Sequence, residues 1–173
     1  MNPTYLGDSY DVVKRFFCDI ARSAGYTVYI DPMFTGAWAP QQRASFLRFL
    51  GTSEVGSLSP EFPAALLMDP DTGIRSKPGP SHTTFTAIAS QCERFALVIV
   101  FDQSYSHGSH AREAMTTKLA SLRSLGIRGI YYDSHARFLV CGKSSARVMR
   151  FQKALVHVGV PASRFVGIPA STA

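Results

Sequence analysis

The chain has 173 residues, 46% of them hydrophobic and 17% charged, with 18 lysines and arginines against 12 acids for a net charge of +6. That balance suits one globular domain spanning residues 1–173, large enough to bury a core without staples. No apolar stretch reaches the ~18 residues of a membrane span, and the start lacks the basic and apolar parts of a signal peptide, which excludes a spanning protein and points to the cytoplasm.

Asp8 or Ser9 is the expected cap of a first helix, in which Val12, Val13, Phe16, Phe17, Ile20 and Ala21 recur at helical spacing up to Ala24 and Gly25. A strand over 26–31 follows, then a helix over 40–50 with Phe46, Leu47, Phe49 and Leu50 inward. Residues 52–63 are a loop, and Ala64–Met68 is a second strand. Residues 70–81 are too rich in Pro and Gly for regular structure and form a long basic loop. A helix over 83–92 leads to the most apolar strand, 95–101. A helix over 109–125 carries Ala114, Met115, Leu119, Leu122 and Leu125 inward. Strands over 127–132 and 136–141 flank Asp133-Ser134-His135 as a hairpin or neighbouring pair, and a last helix covers 143–158.

The three strands after the first three helix–loop units end alike, at Asp31, Asp69 and Asp102. Short apolar runs without alternation are buried on both faces, as in a parallel sheet between helices. The expected fold is therefore α/β, a three-layer Rossmann-like, mostly parallel sheet with a C-terminal strand pair and helices on both faces. Ligands bind at the carboxyl ends of such strands, so three carboxylates would converge on one crevice if strand order makes their strands neighbours.

Two polar clusters sit at these ends. Asp69-Pro70-Asp71-Thr72-Gly73 has two carboxylates at a spacing able to bind a cation, and a glycine that permits close backbone approach; an ordinary turn has the same composition. The run from Asp102 to His110 holds a carboxylate, an amide, hydroxyls and two imidazoles, and equally reads as a polar helix-capping loop. His135, between the last strands, is a candidate acid or base or a solvated turn residue. Trp38 is a candidate base-stacking platform or a packing residue. Cys18, Cys92 and Cys141, dispersed and without a CxxC pair, read as buried small hydrophobes of a reducing compartment. The distributed basic residues favour a polyanionic partner, nucleic acid first. Nucleotide-binding and hydrolase signatures of the phosphate-loop, dinucleotide, zincin and nucleophile-elbow types are missing, which makes those classes poor fits.

Read in order, Gly7-Asp8-Ser9-Tyr10-Asp11-Val12-Val13-Lys14 resembles the opening helix of ribosomal-RNA adenine-N6 methyltransferases of the RlmJ type and of the three-Cys-motif partner proteins. Tyr29-Ile30-Asp31-Pro32-Met33-Phe34-Thr35-Gly36 occupies the place of their cofactor-binding turn, and Leu67-Met68-Asp69-Pro70-Asp71-Thr72-Gly73 that of their catalytic turn. The resemblance implies S-adenosylmethionine beside Asp31 and Gly36, with Asp69 and Pro70 holding a target amine. A second expectation takes the acids at face value: Asp69, Asp71 and Asp102, beside Asp31, would hold Mg²⁺ or Mn²⁺ for phosphodiester hydrolysis, with Lys118 or His135 stabilising charge or moving a proton. A third keeps the sheet and uses the basic surface for nucleic-acid binding alone, as a non-catalytic subunit.

Overall fold

The computed structural model describes residues 3–56, 63–104 and 110–167. A short 3₁₀ turn, Pro3–Tyr5, leads into α1 (Ser9–Ser23), β1 (Thr27–Asp31), α2 (Pro40–Leu50), β2 (Ser53–Glu54) and β3 (Ala64–Met68). Then come α3 (Phe85–Arg94), β4 (Leu97–Phe101), α4 (Ala111–Ser124), β5 (Arg128–Tyr132), β6 (Phe138–Gly142), α5 (Ser145–His157) and β7 (Phe165–Val166). The strands form one sheet in the order β2-β1-β3-β4-β6-β5-β7. Strands β2, β1, β3 and β4 run parallel, and β6 enters antiparallel between β4 and β5 as the second arm of a hairpin. The α/β, Rossmann-like architecture matches the expectation. Among the described residues no helix is long and apolar enough to cross a membrane.

Local chemistry fixes the elements. Asp8 caps α1 by accepting the Tyr10 and Asp11 N–H groups, Thr84 caps α3 at the Ala87 N–H, and Ser144 caps α5 at the Arg147 N–H. All five residues of β3, and all five of β4, are buried, as two-sided burial requires. One core lies between the sheet and α1, α2 and α5, through Phe17, Phe46, Phe151, Ile30, Leu67 and Ile99. The other lies beneath α3 and α4, through Ile88, Met115, Leu122, Met68, Val100 and Tyr131. Each fully buried Leu, Ile or Phe contributes about 1.5–3 kcal/mol.

Three expectations need correction. In α1, Val12 and Phe16 are 55% and 37% exposed, whereas Asp11 and Lys14 are buried with Phe17, Cys18 and Ala21. The inward face is rotated because the two charges neutralise each other inside. Leu125 is exposed at the end of α4. Residues 70–81, expected as a long loop without regular structure, are cross-bonded together with Thr83: Thr72 N–H donates to Ser81 O (2.9 Å), Arg75 N–H to Thr83 O (2.9 Å) and Thr83 N–H to Gly73 O (3.1 Å).

Candidate functional site

β1, β3 and β4 are neighbours and parallel, so Asp31, Asp69 and Asp102 do gather at one edge of the sheet. They do not converge. Asp31 pairs in register with Met68, and Met68 with Val100, so Asp69 lies one residue and Asp102 two residues beyond that level on their strands. Side chains alternate faces along a strand. Asp69 therefore follows Leu67 toward α1, while Asp102 follows Val98 and Val100 toward α3 and α4, the face to which Asp31 also belongs. The expected set of Asp69, Asp71 and Asp102 is divided by the sheet itself. Among the described residues no group of three or more His, Cys, Asp or Glu is placed to hold a metal ion.

On the α1 face, Lys14 Nζ donates to Asp69 Oδ2 (2.8 Å) and to Asp11 Oδ1 (3.0 Å). Asp11 Oδ2 also accepts the Gly7 N–H (2.8 Å), and the ammonium lies 4.7 Å from the centre of the Phe101 ring. Burial alone would lower the Lys14 pKa; Asp69 and Asp11 outweigh it and hold the ammonium above the ordinary lysine value. Burial pushes the Asp69 carboxyl up, with Lys14 opposing. This triad floors a cavity of about 460 Å³. Its walls are the phenol rings of Tyr5 and Tyr10, the Phe101 ring, and the Asp8, Pro70, Asp71 and Gln103 side chains. The Thr35 hydroxyl donates to Asp71 Oδ2. The Gln103 side-chain amide nitrogen is buried without a partner among the described residues.

His135 reaches this site through Tyr10. The Tyr10 hydroxyl and His135 Nε2 lie 2.7 Å apart, and the rings stack at 5.5 Å between centroids. His135 is itself exposed, so the pair joins the cavity to solvent.

On the opposite face Asp102 is a buried hub. It accepts hydrogen bonds from Lys118 Nζ (2.7 Å), the Tyr131 hydroxyl (2.9 Å), Ile74 N–H (3.0 Å), Ser104 N–H (3.1 Å) and Ser104 Oγ (2.5 Å). Burial would raise its pKa; Lys118 and these donors prevail and hold the carboxyl below the usual range. Gly73, with φ +80°, lies so close that a Cβ there would overlap the Asp102 carboxylate and stand 2.7 Å from the Gln103 backbone nitrogen. Lys118 and Asp102, expected as catalytic residues, thus join α4, Tyr131 of β5 and the Ile74 N–H at the end of β4.

Asp31 and Gly36 do not line the cavity. Asp31 is half-buried; burial pushes its carboxyl up, and the Met33 N–H, at 3.3 Å, opposes the shift. Met33 takes φ +42° in the turn where the resemblance implies a cofactor loop. Trp38 is buried, 4.5 Å from the Phe34 ring and 5.9 Å from Phe46, and its Nε1 donates to Thr35 O, so it packs. All three cysteines are buried thiols, and burial pushes Cys18 up to about 12. Residues 105–109, with His107, lie outside the described residues.

Sequence reasoning missed Tyr5, Tyr10, Asp11 and Lys14 as site residues, whereas Phe101 and Gln103 fall in the strand end and polar run it did single out. The available signal was a second helical stripe in α1, Asp11-Lys14-Phe17-Cys18-Ala21, which spaces charges as a buried face spaces apolar residues. Comparison with protein-family models, with curated proteins and with solved structures found no match.

Proposed function

We propose that this chain is a compact, methyltransferase-like α/β protein that acts on nucleic acid and takes its ligand in the cavity between α1 and the ends of β3 and β4. One observation carries the reading. The two segments most alike to the methyltransferase families, Gly7–Lys14 and Leu67–Gly73, are joined by the Lys14–Asp69 pair across 55 residues of sequence and line the same cavity. The antiparallel β6 between β4 and β5 also suits such a sheet.

The lining fits the chemistry of S-adenosylmethionine. Three aromatic rings offer faces to a base or a sulfonium, and Asp8 and Asp71 make the rim electronegative toward a cationic ligand. Bound there, the cofactor would supply an activated methyl group. Lys14 opposes the burial that raises the Asp69 pKa, and the Asp69-Pro70 turn would accept a hydrogen bond from an exocyclic amine. The His135–Tyr10 pair is placed to pass a proton to solvent. Asp31, on the other face of β1, keeps the cofactor role implied by the resemblance only if the cofactor reaches across the β1 end.

Calorimetric titration with S-adenosylmethionine and S-adenosylhomocysteine tests the reading. Binding by the wild type, weakened at least tenfold by Tyr10→Ala with folding intact, is expected; an aromatic face contributes about 1–3 kcal/mol. Absence of heat from the wild type at millimolar ligand would overturn it. Binding of nucleic acid without either adenosyl ligand would assign the chain to the non-catalytic reading.

A further inference from the structure

The Asp69–Gly73 turn has two sides of opposite chemistry. Pro70 and Asp71 face the acidic, aromatic cavity; the next residue, Thr72, lines a second hollow of about 390 Å³ with Arg75, Ser76, Lys77 and His82. This hollow presents two cations, two hydroxyls and an imidazole. Among the described residues no acid pairs with Arg75 or Lys77.

The hollow is built on a fixed frame. The Ile74 N–H is held by Asp102 and the Arg75 N–H by Thr83 O; the Thr72 hydroxyl donates to Ser81 O, and His82 Nε2 bonds the Lys77 carbonyl at 2.6 Å. A Cβ at Gly79 would collide with the His82 ring, so the loop closes on that imidazole. Burial lowers the pKa of Lys118 and the Arg75 charge adds to that shift, so Arg75 stands near Lys118. Convergent cations on an ordered loop bind phosphate oxygens, and the guanidinium does so in bidentate fashion.

We infer that this basic hollow is a phosphate site for a nucleic-acid strand: one phosphodiester is held by Arg75 and Lys77 while an attached base enters the cavity on the other side of the Asp69–Gly73 turn. The inference rests on the proposed reading of that cavity. Carboxylate and aromatic chemistry for a base, one residue away from cationic chemistry for a phosphate, is the pattern a nucleotide presents.

The test is fluorescence anisotropy with labelled single-stranded RNA and DNA across a salt series, for the wild type, Arg75→Gln/Lys77→Gln and the control Arg123→Gln/Lys153→Gln. The first variant should bind roughly tenfold more weakly, with its salt slope smaller by about 1.4, two contacts at ~0.7 each for a single strand. The control should stay near wild type, and adenosine monophosphate should compete better than inorganic phosphate. Equal affinity and slope for Arg75→Gln/Lys77→Gln and wild type would overturn the inference. So would an equal loss in the control, or competition by inorganic phosphate as strong as by the nucleotide. S-adenosylhomocysteine titration of the same proteins separates the two ideas: loss of strand binding with adenosyl binding intact supports the phosphate site. Strand binding through Arg75 and Lys77 with no adenosyl binding sinks the methyltransferase reading alone.

Discussion

Lys14→Met removes the cation shared by two buried carboxylates while keeping the length of the side chain. The side chains of Lys14, Asp11 and Asp69 are 4%, 1% and 2% exposed, so water screens none of the three. Breaking a buried pair by deleting one partner costs about 3–5 kcal/mol, because a charge is left without compensation. For a chain of this length that lowers the melting temperature by roughly 6–20 °C. The loss should depend on pH in a defined direction. Without Lys14, burial raises the Asp69 pKa unopposed, so the variant regains stability as pH falls and the carboxyl takes up a proton. In the wild type the Lys14 pKa is raised, so its contribution is complete below the ordinary lysine value and is lost only as pH rises above it. Urea denaturation at pH 5, 7 and 8.5 reads the Asp69 effect, because over that whole range wild-type Lys14 stays charged. Lys14→Met/Asp69→Asn should recover a large part of the loss at pH 7. A penalty under about 1 kcal/mol, or one equal at pH 5 and 8.5, would refute the buried triad as the force holding α1 to β3.

Gly73→Ala should cost more than about 2 kcal/mol, since the left-handed φ alone costs about 1–2 kcal/mol and its Cβ would overlap the Asp102 carboxylate; an unchanged urea midpoint would contradict that contact. The Asp102 pKa is lowered, so its stabilisation is present above the ordinary carboxylate value and is lost as pH falls through the folded one. Asp102→Asn should accordingly lose stability at neutral pH and show a shallower acid limb in melting temperature against pH; an unaltered acid limb would place the acid sensitivity elsewhere. Met33→Gly should stabilise by up to about 1 kcal/mol, relief of the φ +42° conformation less the entropy of glycine, and a lower melting temperature would show that Met33 packing outweighs its strain.

The strands and caps were legible because their causes are local. The uninterrupted apolar runs of β3 and β4 admit few alternatives, and Asp8 stands where the first helix needs an acceptor. The adjacency of Asp31, Asp69 and Asp102 depended on strand order, which no residue in those strands encodes. Their division between faces followed from a stagger of one residue between strand ends, a property of the paired register. Asp11 and Lys14 were hidden for a different reason. A charged residue on a helix is read as exposed unless its partner is known, and the partner, Asp69, is 55 residues away. Tyr10 and His135 meet across 125 residues, a contact invisible to periodicity.

The two aspartates that look alike in sequence hold the site from opposite sides. Asp69 fixes α1 through Lys14 and so fixes Tyr10, Asp11 and the floor of the acidic cavity. Asp102 fixes the Ile74 N–H, and with it the loop that carries Arg75 and Lys77. Perturbing one carboxylate should therefore disturb one cavity more than the other. Asp102→Asn loosens the frame of the basic hollow but leaves Lys14 and Asp69 paired. It should weaken strand binding while sparing an adenosyl ligand, provided the variant remains folded at the assay temperature. Lys14→Met should weaken the adenosyl ligand strongly and the strand, whose base enters the same cavity, only in part. A variant pair that lost both ligands together, at temperatures where circular dichroism shows native structure, would mean the cavities act as a single site, because a shared turn one residue wide would then transmit either change.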